Sequence, residues 1–227
     1  MKKELSFNNP VYISFFTTFL ALSGTTIITV LATYSETVKA EKYIQNALIS
    51  ETCVNIIAGL TYYYFIKYLY TDKLQLEFLT GVRYIDWFLT TPLLLLSFTL
   101  YLTWEYNNKT GENKKYDITP LAYIIPLNLL MLVFGYLGET KKISLTKGFI
   151  LGMIFFGLLM YFVYRDYVNE DSLVKYFWIF TAVWFLYGIA FLLSLKAKNI
   201  TYNFLDLVSK AGFGIFLWIS IMDFGGP

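Results

Sequence analysis

Seven long apolar segments alternate with short polar connectors along the chain. The segments lie near residues 11–33, 46–70, 78–103, 117–138, 147–166, 173–195 and 200–222. Each is at least as long as the roughly 20 residues that an α-helix needs to cross the hydrocarbon core of a bilayer. No connector exceeds about fifteen residues, so successive helices must run antiparallel. The pattern predicts an all-α integral membrane protein, with a single domain over 1–227 folded as a seven-transmembrane-helix bundle.

Composition supports a membrane protein and excludes several classes of function. Hydrophobic residues make up 57% of the chain and charged residues 15%, against about 25% charged residues in soluble domains. There is no histidine, and Cys53 is the single cysteine. This excludes His-ligated zinc, Ser-His and Cys-His catalysis, and an internal disulfide. The net charge of +2 gives no basic footprint for nucleic acid. We therefore expect neither an enzyme nor a nucleic-acid-binding protein.

Two acidic and two basic residues lie deep inside the predicted spans: Arg83, Asp86, Asp206 and Lys210. An ionisable side chain at mid-membrane costs about 2.5–3.5 kcal/mol on insertion scales, and such residues usually mark functional sites. A buried ion-pair network that only fixes helix packing is the alternative interpretation, but two ion pairs at this depth are a costly way to join helices.

Helical geometry can bring these four charges together. Arg83 and Asp86 share one stripe of the third helix, which continues through Thr90, Leu94 and Ser97. Asp206 and Lys210 are four residues apart and share a face of the seventh helix. The two faces can converge in the bundle core as a neutral cluster. A lysine in such a cluster serves either as an ion-pair partner or as an amine that forms a Schiff base with a carbonyl.

Two motifs resemble a known family. RYIDWFLTTPLLLL, residues 83–96, resembles the third helix of microbial (type 1) rhodopsins, and LDLVSKAGFG, residues 205–214, resembles their retinal-binding seventh helix. Both motifs lie in the appropriate spans, so the resemblance covers essentially the whole chain. Members of this family are classified by the residues at three positions of the third helix, which are Asp86, Thr90 and Ser97 here. Ser97 and the short loops further resemble the rhodopsins of giant viruses.

The resemblance implies a protein with all-trans-retinal bound covalently to Lys210 as a protonated Schiff base. Asp86 and Asp206 would form its counterion, and Asp86 would accept the proton after light absorption. Arg83 would lie on the extracellular side of this pair and couple deprotonation to proton release. Thr90 would hydrogen-bond Asp86.

The resemblance also implies a retinal pocket, whose residues are Trp87, Thr91, Leu94, Met131, Gly135, Trp184, Tyr187 and Phe191. The two tryptophans would sandwich the polyene, and Tyr187 would bond Asp206. Gly188 replaces a usual proline and Phe191 a usual tryptophan. Leu94 occupies a colour-tuning position, at which an apolar residue goes with green rather than blue absorption.

The proton path departs from that of the best-known outward pumps. Ser97 stands where they carry the carboxylate that returns a proton to the Schiff base, and a serine hydroxyl does not ionise near neutral pH. Glu51 and Asp223, near span ends, are the remaining candidates in that half, so we expect slow reprotonation from bulk water. The carboxylate pair for fast release is also missing, because Lys198 takes one of its positions. Glu77 is a candidate substitute.

These residues favour a light-driven outward proton pump. A light-gated cation channel is the second interpretation. A channel usually needs a row of acidic residues along a water path, whereas the second helix offers only Glu51 and Asn55 near its start. A photosensor that signals to a partner is the third, but no transducer-binding segment is legible. The family resemblance also implies a homo-oligomer, a trimer or a pentamer, in the lipid bilayer.

Charge gives a weak signal for orientation. Of the 18 Lys and Arg residues, nine lie on the side of the N-terminus and seven on the other, while Arg83 and Lys210 lie within spans. The positive-inside rule then slightly favours a cytoplasmic N-terminus. The resemblance implies the opposite orientation, with an extracellular N-terminus and a cytoplasmic C-terminus. We expect the second orientation, because a difference of two charges is small.

Overall fold

The computed structural model describes residues 9–35, 38, 41–70 and 76–222. Seven long helices account for most of these residues: α1 (Pro10–Thr33), α2 (Lys42–Tyr70), α3 (Leu76–Thr110), α4 (Leu121–Glu139), α5 (Leu145–Tyr167), α6 (Asp171–Phe191) and α7 (Leu195–Met222). The described part of the chain contains no β-strand. The predicted seven-helix bundle is confirmed.

The helices and the apolar segments do not end at the same residues. α3 continues to Thr110, beyond the predicted end at 103, and α2 begins at Lys42 rather than 46. Apolarity marks only the part of a helix that lies in lipid, whereas the backbone hydrogen bonds continue into water. α4 begins later than predicted, at Leu121 rather than 117. Residues 117–120 belong to the connector, where Asp117 Oδ1 accepts a hydrogen bond from the Thr119 amide at 2.9 Å.

Six of the seven helices are long and apolar enough to cross a membrane, and α2 is the exception. α2 has 29 residues, which is long enough, but its first half carries Gln45, Asn46, Glu51 and Asn55. Glu51 and Asn55 are completely buried inside the bundle, so they do not face lipid. The arrangement is that of a multi-pass integral membrane protein.

α7 changes its helical form where it passes the centre of the bundle. It begins at Leu195, earlier than the predicted 200, and takes a π-helical turn over Leu207–Gly212 before it continues as an α-helix. A π-helical turn inserts extra backbone into a helix, and such bulges are frequent at functional sites. Lys210 lies within this turn.

One stripe of α3 faces the bundle interior over its whole length. Its members are all 3% exposed or less: Arg83, Asp86, Thr90, Leu94 and Ser97. The spacing of three, four, four and three residues keeps them on one side of the helix. Four of these five side chains are polar, so the interior of the bundle is polar along this line.

Candidate functional site

Charged side chains from α3 and α7 meet at the centre of the bundle. Lys210 Nζ lies 2.5 Å from Asp86 Oδ2 and 3.5 Å from Asp206 Oδ1. Arg83 Nη1 lies 3.3 Å from Asp206 Oδ2. Two cations and two anions make the cluster neutral overall, which offsets the cost of burying each charge.

Asp206 is held by donors from several helices. Tyr62 of α2 donates its hydroxyl to Oδ2 at 2.8 Å, and Tyr187 of α6 donates to Oδ1 at 2.8 Å. The indole Nε1–H of Trp87 lies 3.4 Å from Oδ1. Together with Arg83, these groups surround both oxygens with donors, which stabilises the ionised carboxylate. The contact from Tyr187 is the one that the resemblance implied, whereas Tyr62 had not been singled out.

Asp86 has a much sparser environment than Asp206. Its Oδ2 contacts Lys210, while Oδ1 has no hydrogen-bond partner among the described residues. Thr90 does bond to Asp86, but its hydroxyl donates to the main-chain carbonyl at 2.9 Å and not to the carboxylate. A threonine in a helix commonly bonds the carbonyl four residues earlier. Asp86 therefore retains a free oxygen that can accept a proton.

Arg83 is enclosed by aromatic rings. Its guanidinium carbon lies between 5.1 and 5.8 Å from the centroids of four rings: Phe15, Tyr62, Phe65 and Tyr202. Nη2 donates to Asn203 Oδ1, and Asn203 in turn donates from Nδ2 to Ser14 Oγ at 2.8 Å. The cation is thus fixed by contacts to α1, α2 and α7. Neither Asn203 nor Ser14 had been predicted from the sequence.

A cavity lies beside Lys210 between α3, α4, α5, α6 and α7. All eight residues of the predicted pocket line it: Trp87, Thr91, Leu94, Met131, Gly135, Trp184, Tyr187 and Phe191. Further lining residues had not been assigned to the pocket: Tyr84, Leu132, Gly148, Phe149, Gly152, Met153, Phe156, Gly188, Tyr202 and Ser209.

Small residues leave room for the cavity on α4, α5 and α6. A Cβ on Gly135 would lie 2.9 Å from the Tyr84 hydroxyl, and a Cβ on Gly188 would lie 2.8 Å from Met153 Sδ. Gly148 lets α5 approach the backbone of α4. In the sequence, the spacing of Gly148 and Gly152 favours close helix packing in membranes. This spacing is the feature that could have indicated that α5 forms part of the cavity wall.

The cavity suits an apolar ligand that carries a carbonyl group. Its walls are mainly aromatic and aliphatic side chains, and the Lys210 amine lies at its charged end. A buried amine of this kind condenses with a carbonyl carbon to form a Schiff base. The adjacent carboxylates supply the opposite charge that the cationic form of this bond needs.

Ser97 and Glu51 lie on the side of the cluster opposite to Arg83. Ser97 Oγ donates to the main-chain carbonyl of Ala47 at 3.0 Å, so it joins α3 to α2 rather than bonding its own helix. Glu51 was expected near a span end, but it lies well inside α2 and is completely buried, because α2 begins earlier than the apolar pattern indicated. Asp223 lies outside the described residues.

Lys198, near the beginning of α7, forms an ion pair. Lys198 Nζ lies 2.9 Å from Glu139 Oε2, and both side chains are less than 10% exposed. Glu77 instead contacts Lys141 at 3.5 Å on the surface, where both side chains are more than 70% exposed. The structure therefore brings Glu139, and not Glu77, next to Lys198.

Comparisons with known proteins agree in fold and family. A family model described as "Bacteriorhodopsin-like protein" matches residues 14–224. The green-light absorbing proteorhodopsin of Gamma-proteobacterium EBAC31A08 is 27% identical over 197 residues, which is 74% of this chain and 72% of that protein. Sensory rhodopsin-2 of Haloarcula vallismortis is 26% identical over 163 residues, 63% of this chain and 64% of that protein. The crystal structure of viral rhodopsin OLPVRII superposes with a TM-score of 0.85 at 30% identity, covering 96% of this chain and 100% of that one.

Proposed function

Because the chain belongs to the bacteriorhodopsin-like family of microbial rhodopsins, we propose that it is a light-driven outward proton pump. Members of this family are photoreceptors and ion transporters rather than enzymes, and they carry retinal bound to a lysine. The family that the two sequence motifs indicated is confirmed, as is the similarity to a viral rhodopsin. Transport, its direction and the roles of individual residues are what the proposal adds.

Lys210 is the proposed attachment point for all-trans-retinal. Among the described residues it is the one lysine that lines the cavity. When bound there through a Schiff base, retinal would supply light absorption and an isomerisation that changes the surroundings of the nitrogen's proton. The aromatic walls, with Trp87, Trp184 and Phe191 among them, would hold the apolar part of the ligand and exclude water from it.

The contrast between the two aspartates carries the proposal for proton transfer. The Lys210 nitrogen lies 2.5 Å from Asp86 and 3.5 Å from Asp206. Asp206 is surrounded by donors that favour its ionised form, while one oxygen of Asp86 has no hydrogen-bond partner in the described part of the chain. Asp86 is therefore the proposed acceptor of the nitrogen's proton, and Asp206 the permanent counterion. Protonation of Asp86 would leave Arg83 paired with Asp206.

Direction follows from the placement of the polar residues along the bundle. Arg83 and Asp206 lie on the side of the N-terminus, where Ser14 of α1 contacts Asn203. Ser97 lies on the side where α3 contacts the first part of α2. With the proposed extracellular N-terminus, a proton taken up by Asp86 would leave on the Arg83 side, which is outward. We further propose that the protein works as a homo-oligomer in the bilayer.

A light-gated channel and a photosensor remain the competing functions. The test is the light-induced pH change of unbuffered cells that express the protein with added retinal, measured with and without a protonophore. We expect acidification that the protonophore abolishes, and no response from a Lys210→Ala variant, which cannot form the Schiff base. Coloured cells that do not acidify the medium would contradict the pump. Patch-clamp recording of photocurrents would then test the channel.

A further inference from the structure

A second cavity lies at the surface of the bundle on the side of the N-terminus, away from Lys210. It is enclosed by the beginning of α3, the end of α4, the α4–α5 connector and the beginnings of α5 and α7. The ends of membrane-spanning helices lie at the level of the lipid headgroups. Five of the side chains that line this cavity are charged: Glu77, Glu139, Lys141, Lys142 and Lys198.

Lysines outnumber acidic residues around this second cavity. Residues 139–147 and 194–199, which form the two connectors beside it and the adjoining helix ends, contain five lysines and one acidic residue, Glu139. These five are more than half of the nine Lys and Arg residues on the side of the N-terminus. The positive-inside rule disfavours such an excess on the side that we propose to be extracellular. The concentration of lysines at one place therefore indicates a binding surface for an anion.

The positive charge of the cavity is concentrated at its exposed end. At the buried end, Glu139 and Lys198 neutralise each other. At the exposed end, Lys141 lies 3.5 Å from Glu77, and solvent weakens this contact because both side chains are more than 70% exposed. Lys142 forms no ion pair within the described part of the chain. An incoming anion therefore meets an unpaired ammonium group and a second one that is only weakly paired.

Lys141 has a backbone conformation that favours glycine. Its φ is 59°, and it lies in the turn directly after α4, where helices usually carry glycine or asparagine. Hydrogen bonds from the Lys141 and Lys142 amides to the carbonyls of Gly138 and Leu137, at 3.2 and 2.9 Å, fix this turn. A lysine is unfavourable for such a backbone, so its presence indicates that the charged side chain has a function of its own.

The remaining walls of the second cavity are largely apolar. Ile143, Leu145 and Leu195 line it beside the lysines. Leu145 is 42% exposed, and Leu192, in the α6–α7 connector, is 48% exposed. Cations and apolar side chains thus lie next to each other at the depth of the headgroups. Basic pockets at the ends of transmembrane helices bind anionic headgroups, and the apolar walls suit the acyl chains of the same molecule.

We propose that this second cavity binds the headgroup of an anionic phospholipid from the leaflet on the side of the N-terminus. The phosphate would contact the ammonium groups of Lys141 and Lys142. The Ser144 hydroxyl and the first N–H groups of α5, which have no partner inside the helix, would donate to its oxygens. The acyl chains would follow Leu145 along α5 into the bilayer. This inference does not depend on the proposed pump function.

The test counts the lipids that stay bound to the protein. Native mass spectra are recorded after release from nanodiscs that contain equal parts of phosphatidylglycerol, which is anionic, and phosphatidylcholine, which is zwitterionic. Each unchanged chain should retain at least one phosphatidylglycerol, and Lys141→Gln/Lys142→Gln should retain one fewer. An unchanged protein that retains none, or equal retention by the two proteins, would overturn the proposal.

Lys114 and Lys115 provide a matched control. They are also adjacent exposed lysines in a connector, but they lie between α3 and α4, at the opposite surface of the membrane. Lys114→Gln/Lys115→Gln should retain as much phosphatidylglycerol as the unchanged protein. An equal loss in both double variants would show that overall charge, and not the second cavity, holds the lipid.

Thermal denaturation in detergent separates a lipid from a small anion. Added phosphatidylglycerol should raise the denaturation temperature of the unchanged protein and of Lys114→Gln/Lys115→Gln, but not that of Lys141→Gln/Lys142→Gln. Phosphatidylcholine and inorganic phosphate should each have little effect. Equal stabilisation by inorganic phosphate would assign the cavity to a small anion, and equal stabilisation by phosphatidylcholine would exclude recognition of charge; either result overturns the proposal. If the double variant does not fold, Lys142→Gln, which breaks no described ion pair, should still weaken the response to phosphatidylglycerol, and an unchanged response would count against the site.

Discussion

Lys198 and Glu139 form a buried ion pair, 2.9 Å apart, where the end of α4 meets the beginning of α7. Lys198 also lies 5.2 Å from the centroid of the Phe191 ring, which lines the cavity. The pair therefore joins two helices next to the chromophore site. Lys198 takes one of the positions at which the family resemblance implied a carboxylate for fast proton release.

Removal of one partner of this pair should destabilise the protein. Glu139→Gln leaves Lys198 buried without its counter-charge, and breaking a buried pair in this way costs roughly 3–5 kcal/mol, with the lower value expected near a helix end. The double variant Glu139→Gln/Lys198→Met should recover part of the loss. Thermal denaturation in detergent, followed by loss of colour, measures both. Glu77→Gln is the control, because its ion pair is exposed and should contribute little; an equal loss there would contradict the role of burial.

The two aspartates should respond differently to neutralisation. Asp86→Asn removes the proposed acceptor, so light-driven acidification should stop and the absorption should shift to the red, because the counterion of the Schiff base is weakened. Asp206→Asn should lower stability more than Asp86→Asn does, since it leaves the four donors around the former carboxylate (Tyr62, Arg83, Trp87 and Tyr187) without a charged acceptor. Absorption spectra and denaturation curves of both variants test this contrast. Continued pumping by Asp86→Asn would exclude it as the acceptor.

Tyr62 should contribute to stability through the charged cluster. Tyr62→Phe removes a hydrogen bond to Asp206 and the acceptor for Arg83. Hydrogen bonds to charged groups contribute about 1.5–3 kcal/mol, so a loss of that order in the free energy of unfolding is expected. Tyr63→Phe changes the neighbouring tyrosine, which is 55% exposed on the outer surface, and should have little effect. Similar results for the two variants would argue against the cluster contact.

Leu94 should help to set the colour. It is 2% exposed and lines the cavity, so a polar side chain there changes the electrostatic field along a bound chromophore. Leu94→Gln should shift the absorption maximum to the blue, whereas Leu94→Met, which keeps an apolar side chain of similar size, should not. An unchanged spectrum for Leu94→Gln would show that this position does not tune the pigment.

The charged residues of the centre could be found in the sequence because they break long apolar runs. Asp86, Arg83, Asp206 and Lys210 lie where a charge is costly, and helical spacing alone put each pair on one face. The seven helices followed from the same contrast between apolar and polar residues. Helix ends were less accurate, because lipid contact ends before the backbone hydrogen bonding does.

Tertiary structure decided which other polar residues contact this centre. Tyr62, Asn203 and Glu139 are single polar side chains on long helices, and their roles depend on how each helix is rotated and which neighbour it meets. The same holds for Thr90, whose hydroxyl bonds a main-chain carbonyl. The sequence by itself determined the membrane bundle and its four central charges, through the cost of burying polar groups in lipid. Only packing showed that Asp206 is surrounded by donors, that Asp86 is not, and that Glu51 lies deep in the opposite half.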